Sequence, residues 1–466
     1  MFIINALAAF GNWFWGLPIL IVVLGGGLII NFYLGFPQIK RFGYMLSQTF
    51  GTMFKKNDKE GVSSFAAACA ALAASVGASN IVGVPVAIAL GGPGAVFWIL
   101  MIALLGCATK YVEVILGVRF REKDANGEWA GGPFYYCKAI GGKLGLFLGY
   151  FFSIALMLEI VPSVASQCLS ATSQTAVFGM DQRIVGVLIA IVTCVVVLGG
   201  FNRVADTMNL MVPIMSVIYM AGALVVIIVH ANNILPAIAS IFAYAFRPHA
   251  AMGGFVGSVV AATIRWGAAR GVYSNEAGFG EAAVAHAGAD VDHPVRQGFW
   301  GMFEVTVDTL LICNITALAV LTSGAWTMEG VENGALAQAA FATVFGNAGN
   351  YFVAICVFLF VLSTVIVIAF YGQKQSETLF GAKGSKIWFF VYPAMMIIAA
   401  FGMDLTTAYS VTDALLGFAI IPNMIGCVYH LKEVKKLQDE YFNTPGMYYL
   451  ADMAAKEAKK AAKAAK

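Results

Sequence analysis

Three groups of polar side chains interrupt apolar runs of this chain, and their types suit binding of ions and zwitterions rather than covalent chemistry. The first lies in "AASVGASNIVGVP", residues 73–85, where Ser75, Gly77, Ser79 and Asn80 fall near the middle of a stretch long enough to cross a bilayer. A helix broken there exposes free N–H groups, which suit a carboxylate, and loose carbonyls, which suit Na⁺. A Gly/Ser helix-packing face is the competing account, since Ala66–Ala74 is dense in small residues. The second group is "TIRWGAARGVYSNEAGFGEA", 263–282, with Arg265, Arg270, Asn275, Glu276 and Glu281 among several glycines. A lipid-facing helix does not carry that load. The third is the adjacent pair Ser363 and Thr364 in "FLFVLSTVIV", whose hydroxyls either bond back to the preceding turn or ligate a hard cation.

The elements that hold these groups are membrane helices. Of the 466 residues 60% are hydrophobic and 11% charged, against about 45–50% and about 25% in soluble domains. Apolar stretches recur near 14–35, 63–90, 94–119, 143–171, 183–200, 208–230, 252–285, 295–322, 349–375, 385–402 and 405–431, which predicts an all-α polytopic protein of about eleven spans. The first span is too long for a signal h-region and reads as retained. Ala335–Phe345 reads as an amphipathic helix and Gly131–Ile140 as an interfacial piece. With the N-terminus outside, 23 of the 28 Lys and Arg fall in inside loops or the C-terminal tail, including Lys55, Lys56 and Lys59; two, Arg183 and Arg247, fall outside. That asymmetry predicts a cytoplasmic C-terminus in a multi-pass plasma-membrane protein. The tail "AAKEAKKAAKAAK" favours helix but has no apolar face, so a solvated extension is expected.

The two interrupted spans, the second and the seventh, lie five spans apart. Paired interruptions at corresponding points of two five-span units mark inverted-repeat transporters. The expected division is an extra helix and loop at 1–62, repeats at 63–230 and 252–431, and a basic tail at 432–466.

Several classes are disfavoured. The eight cysteines are scattered singly, the five histidines form no ligand cluster, and no phosphate loop, zinc motif or nucleophile elbow occurs, so no enzyme is expected. A channel would need a repeated pore loop. Nothing implies a nucleic-acid or protein partner. Intramembrane carboxylates keep a proton-coupled or uncoupled transporter as the alternative: Glu159, and Glu304 with Asp308 at i and i+4 on one helix face. Glu113, three residues from Lys110, reads as its ion-pair partner, and Arg270 as offsetting Glu276 or facing a vestibule.

"GGPGAVFWILMIALLG" (91–106), "AARGVYSNEAGFG" (268–280) and "KYVEVILGVRFRE" (110–122) resemble signatures of the sodium:alanine (or glycine) symporter family, of the amino acid–polyamine–cation superfamily with the LeuT-type fold. The first departs at Ile99 and Leu100, where the family usually has Met and Trp; the second has Tyr273 where Phe is common. The resemblance covers nearly the whole chain except the tail. It implies sodium-driven import of small neutral amino acids by alternating access, with Na⁺ and the amino acid as the only partners besides the bilayer. It further implies that the Ala73, Val76 and Phe360 carbonyls with Ser363 and Thr364 hold sodium. Gly77, Ala78 and Ser79 would offer amides to the substrate carboxylate, with Asn80 beside it. Carbonyls near Ala268 and Ala269 would accept from the ammonium, Gly271 would let the chain turn, and Trp266, Val272 and Tyr273 would form walls, with Ser274 and Asn275 as further contacts. Gln167, after Pro162 in the fourth span, is the expected substrate amide; Gln174 is its alternative, nearer the outer end. The corresponding fifth core helix, Met208–His230, lacks the Lys of some proton-coupled relatives, which favours sodium.

Overall fold

The computed structural model describes residues 6, 9–11, 13–53, 62–124, 127–247 and 256–464. The basic residues Lys55, Lys56 and Lys59 and the 252–255 start of the seventh expected span lie outside them. Labels are given to helices of eight or more residues: α1 (Gly26–Leu34), α2 (Phe42–Thr49), α3 (Ser64–Ser75), α4 (Val84–Gly91), α5 (Ala95–Arg119), α6 (Gly142–Thr175), α7 (Gln182–Val197), α8 (Gly200–Val229), α9 (Ile234–Tyr244), α10 (Val256–Asn275), α11 (Pro294–Val305), α12 (Asn314–Thr322), α13 (Leu336–Phe345), α14 (Asn347–Ala400), α15 (Leu405–Tyr429), α16 (Leu431–Asn443) and α17 (Tyr448–Ala464). A two-stranded ribbon pairs Glu122–Lys123 with Trp129–Ala130.

Among the described residues six helices are long and apolar enough to cross a membrane, or seven if the bent pair Ser64–Ser75 and Ser79–Gly91 is one span. The remaining expected spans fall on shorter or more polar helices, or on α14, which runs through two of them. Gly381, at φ 69, breaks α14 between those two; a positive φ is easily reached only without a Cβ. The expected amphipathic helix is α13, and the interfacial piece holds a short helix, Pro133–Lys138. Three further helices, α2, α9 and α16, fall where no element is expected.

The centre is α3. Its run Ala66–Ala74 is wholly buried, because small side chains let α8, α11 and α14 pack around it. Two π-helical stretches lie beside this centre, Ser79–Gly83 leading into α4 and Thr306–Cys313 leading into α12. Such widened turns turn side chains off the regular helical register.

The tail is only partly as expected. Residues 454–458 are exposed helix, but α17 begins docked: Asp452 accepts from the Tyr44 hydroxyl at 2.7 Å and the Gln48 amide at 2.9 Å.

Candidate functional site

The first break lies where the polar residues predict it. α3 ends at Ser75, Val76 takes non-helical angles (φ −77, ψ 82), and the chain resumes at Ser79 bent by 48°. The freed carbonyls gather round one hydroxyl. Thr364 Oγ1 of α14 lies 2.9 Å from the Ala73 carbonyl, 3.4 Å from that of Val76 and 3.0 Å from that of Phe360. Ser363 donates to the same Phe360 carbonyl at 2.8 Å. Five oxygens from two elements thus share one buried spot, a donor set suited to a hard cation.

Gly77 sits at the bend because nothing larger fits. A Cβ there would lie 2.8 Å from Thr364 Oγ1 and 3.5 Å from Gln167 Nε2. Its own amide donates to Asn80 Oδ1 at 3.0 Å. That leaves the amides of Ala78 and Ser79, at the start of the second half-helix, where intrahelical partners are lacking. Asn80 is fully buried, and its Nδ2 donates to Asp308 Oδ1 at 2.5 Å. Asn80 therefore fastens the bend to the π-helical 306–313 stretch rather than facing a cavity.

The second break is displaced from its expected place. α10 is continuous through Ala268, Ala269 and Gly271 to Asn275, so those carbonyls are used inside the helix and Gly271 makes no turn. A Cβ on Gly271 would lie 3.0 Å from Ile102 Cβ and 3.2 Å from Ile99 Cα, so the residue serves close packing on α5. The chain turns instead at Glu276 (φ 54), Gly278 (φ 101) and Gly280 (φ 82), before the short helix Ala282–His286. Asn275 Oδ1 accepts from the Ala277 amide at 3.0 Å and holds this turn. Ser274 donates to Asp308 Oδ2 at 2.6 Å. Both broken helices are thus tied to Asp308, which Thr309 also reaches at 2.6 Å.

A small central cavity of about 30 Å³ lies between the breaks, room for a water or an ion. Its walls include Ser75, Ser79, Gln167, Tyr273 and Thr364 among the expected residues, and Glu159, Ser163, Glu276 and Glu281 besides. Gln167 is buried and its Oε1 has no partner. Gln174 does not line the cavity; it donates to the Gly334 carbonyl at 3.4 Å. Glu159, Ser163 and Gln167 recur every fourth residue on one face of α6, a spacing visible in the sequence and not exploited there.

Trp266, Ala269 and Arg270 line a separate pocket of about 80 Å³ with Trp15, Arg265 and Asp413; Tyr273 borders both spaces. Arg270 thus faces Asp413 across this pocket, not Glu276. Val272 and Ala268 are buried in the apolar core and line neither space. Lys110, fully buried, does not pair with Glu113; its Nζ lies 3.8 Å from Glu276 and 3.9 Å from Glu304. Glu113 accepts from the Gly278 amide at 2.9 Å and from Asn423 at 2.6 Å.

The sodium:alanine symporter family model matches residues 1–448. The chain belongs to the sodium:alanine symporter family. It is 42% identical over 446 residues to the uncharacterized transporter YflA of Bacillus subtilis, covering 95% of this chain and 94% of that one. It is 36% identical to the sodium/alanine symporter AgcS of Methanococcus maripaludis, over 88% of this chain and 91% of AgcS. In fold it resembles a Na⁺-coupled sialic acid symporter solved in a substrate-bound outward-open state (TM-score 0.52, 14% identity, 88% and 86% coverage). As a member of this family the protein is a multi-pass membrane transporter of the LeuT-like fold, not an enzyme.

Proposed function

We propose that this family member is a sodium-driven importer of small neutral amino acids, alanine and glycine foremost, working by alternating access. The observation that carries the reading is the Thr364 hydroxyl set among the Ala73, Val76 and Phe360 carbonyls, with Ser363 beside it. Sodium held there pins the bend of α3 and raises affinity for a zwitterion whose carboxylate meets the Ala78 and Ser79 amides. Gly77 and Asn80 shape that bend, and Gln167 contacts the substrate. Tyr273 walls the cavity. Trp266 and Ala269 belong to an outer approach; Ala268, Gly271, Val272, Ser274 and Asn275 support the wall rather than touch the substrate. The name of AgcS supports alanine and sodium as the pair.

The same reading divides the chain into an extra helix and loop (1–62), two five-helix repeats (63–230 and 252–431) and a basic cytoplasmic tail (432–466). The N-terminus then lies outside and Na⁺ moves inward with the membrane potential, at about 2.3 kcal/mol per charge per 100 mV.

The test is labelled alanine uptake into proteoliposomes with an inward sodium gradient, against choline at matched pH and voltage. Accumulation above equilibrium that requires sodium is expected. Uptake indifferent to choline and driven by a pH gradient would remove sodium from the mechanism.

A further inference from the structure

Beneath the central cavity one buried ammonium faces an excess of carboxyl groups. Lys110 of α5 is fully buried, and its Nζ lies 3.8 Å from Glu276 Oε2 and 3.9 Å from Glu304 Oε2. Gly301 lets α11 come this close: a Cβ there would lie 3.1 Å from the Lys110 carbonyl. Neither those two carboxyl oxygens nor Nζ has a hydrogen-bond partner.

The surrounding groups do not restore the balance. His286 bonds the other Glu304 oxygen through Nε2, and its Nδ1 receives the Gln297 amide, which also donates to the Ser64 carbonyl at 3.3 Å. Glu113 accepts from the Gly278 amide and Asn423 through Oε1 alone, and its partnerless Oε2 adds to the same sign, whereas Asp308 is held by Asn80, Ser274 and Thr309. Glu159 and Glu281 face the cavity and add to the same sign. Tyr371 of α14 and Cys69 of α3 complete the titratable ring and bring no positive charge. Arg270 lies on the far side of Tyr273, in the outer pocket with Asp413.

A buried lysine between two glutamates carries a net negative charge, which a low-dielectric interior resists strongly. One proton shared by the two carboxyls cancels it, as in other close carboxyl pairs. Glu276 also lines the cavity that Thr364 lines from the opposite helix. A cation entering at Thr364 supplies the missing positive charge and repels the proton.

The geometry points to Lys110, Glu276 and Glu304 as a proton-binding site whose proton is displaced when sodium binds. This rests on the sodium reading of the Thr364 site. The step is an exchange: Na⁺ enters the carbonyl nest, the proton leaves Glu276 into the cavity, and the site's net charge is conserved. The emptied transporter takes the proton up again before it returns, so sodium import is accompanied by proton export, and the exchange cancels the net charge that sodium alone would carry with the membrane potential.

The first measurement is proton release from purified, full-length protein in weakly buffered detergent, read with a pH dye as NaCl is added, with choline chloride as control. About one proton per molecule is expected with sodium and none with choline. Glu304→Gln and Glu276→Gln each leave one carboxylate against Lys110, and each should abolish the release while sodium still raises the melting temperature. Between pH 8 and pH 6 the sodium half-saturation of the wild type should rise about tenfold, and that of either variant should stay flat. Sodium stabilisation of the wild type without proton release would overturn the proposal and leave the sodium site standing. Absence of both would remove the sodium site and this proposal with it. If both variants fail to fold, the wild-type titration decides alone.

Discussion

The side-chain amide of Asn80 donates to the carboxylate of Asp308 at 2.5 Å, joining the bend of one broken helix to a residue 228 positions away. Ser274, at the end of the other broken helix, donates to the same carboxylate. One acidic group therefore sets the spacing of both breaks, and it does so without touching the cavity between them. Asp308→Ala strands three buried donors. Hydrogen bonds to charged groups contribute about 1.5–3 kcal/mol each, so a loss of at least about 3 kcal/mol of stability is expected. A melting temperature within a degree or two of the wild type would show that the breaks are positioned otherwise.

Thr364→Ala removes the hydroxyl that the three carbonyls surround. The sodium half-saturation of alanine uptake should rise by tenfold or more, equivalent to about 1.4 kcal/mol. Thr364→Ser keeps the oxygen and should recover most of the loss. Equal sodium dependence in all three proteins would place the ion elsewhere.

Gly77→Ala tests the closeness of the bend to its neighbours. The added methyl would stand 2.8 Å from Thr364 Oγ1, nearer than packed atoms approach. Alanine uptake should fall at least tenfold, while expression and membrane insertion stay near normal because the clash is local. Full activity in this variant, measured as initial uptake rate per inserted molecule, would mean that the bend has slack.

His293 caps α11 through Nδ1, which accepts from the Val295 amide at 3.2 Å, and its ring packs 4.6 Å from that of Tyr448 at the root of α17. Burial holds its imidazole below the usual histidine range, against the pull of Glu440 and Asp292. The unfolded chain therefore binds the proton first as pH falls. This contribution to stability is whole above about pH 6.5 and shrinks below it. Limited proteolysis between α16 and α17 should quicken as pH falls from 7 to 5.5, and His293→Gln should flatten that dependence. A profile unchanged by the substitution would assign the pH response to another group.

Much of this was legible in the residues. Ser75, Gly77, Ser79 and Asn80 mark the first break because polar, small residues in mid-membrane have few other uses. The second break was misplaced, since Gly271 looks like a hinge in sequence yet serves contact with Ile99 and Ile102, while Gly278 and Gly280 carry the positive φ values. Contact distance between helices leaves no periodic trace, so one glycine could not be told from another. Glu304 and Asp308 look like neighbours on one face, but the widened turns from Thr306 send one toward Lys110 and the other toward Asn80. The pairing of Lys110 with Glu276 across 166 positions has no local signature, whereas Glu113, one turn away, does. The fourfold spacing of Glu159, Ser163 and Gln167 was readable and points straight at the cavity.

Tyr273 borders both the Trp266 pocket and the central cavity, so at that point the partition between them is one aromatic ring thick. A barrier of that kind opens by a side-chain rotation rather than by moving a helix, and such rotations are among the faster protein motions. Elsewhere in the fold, Arg121 grips the Ala287 and Ala289 carbonyls at 2.8 and 2.6 Å, and Lys374 holds Asp124 at 2.9 Å. Several elements must part together there. The two closures therefore differ in kind, a single ring at one and a set of grips at the other, and under the proposed alternating access the slower opening is expected at the grips.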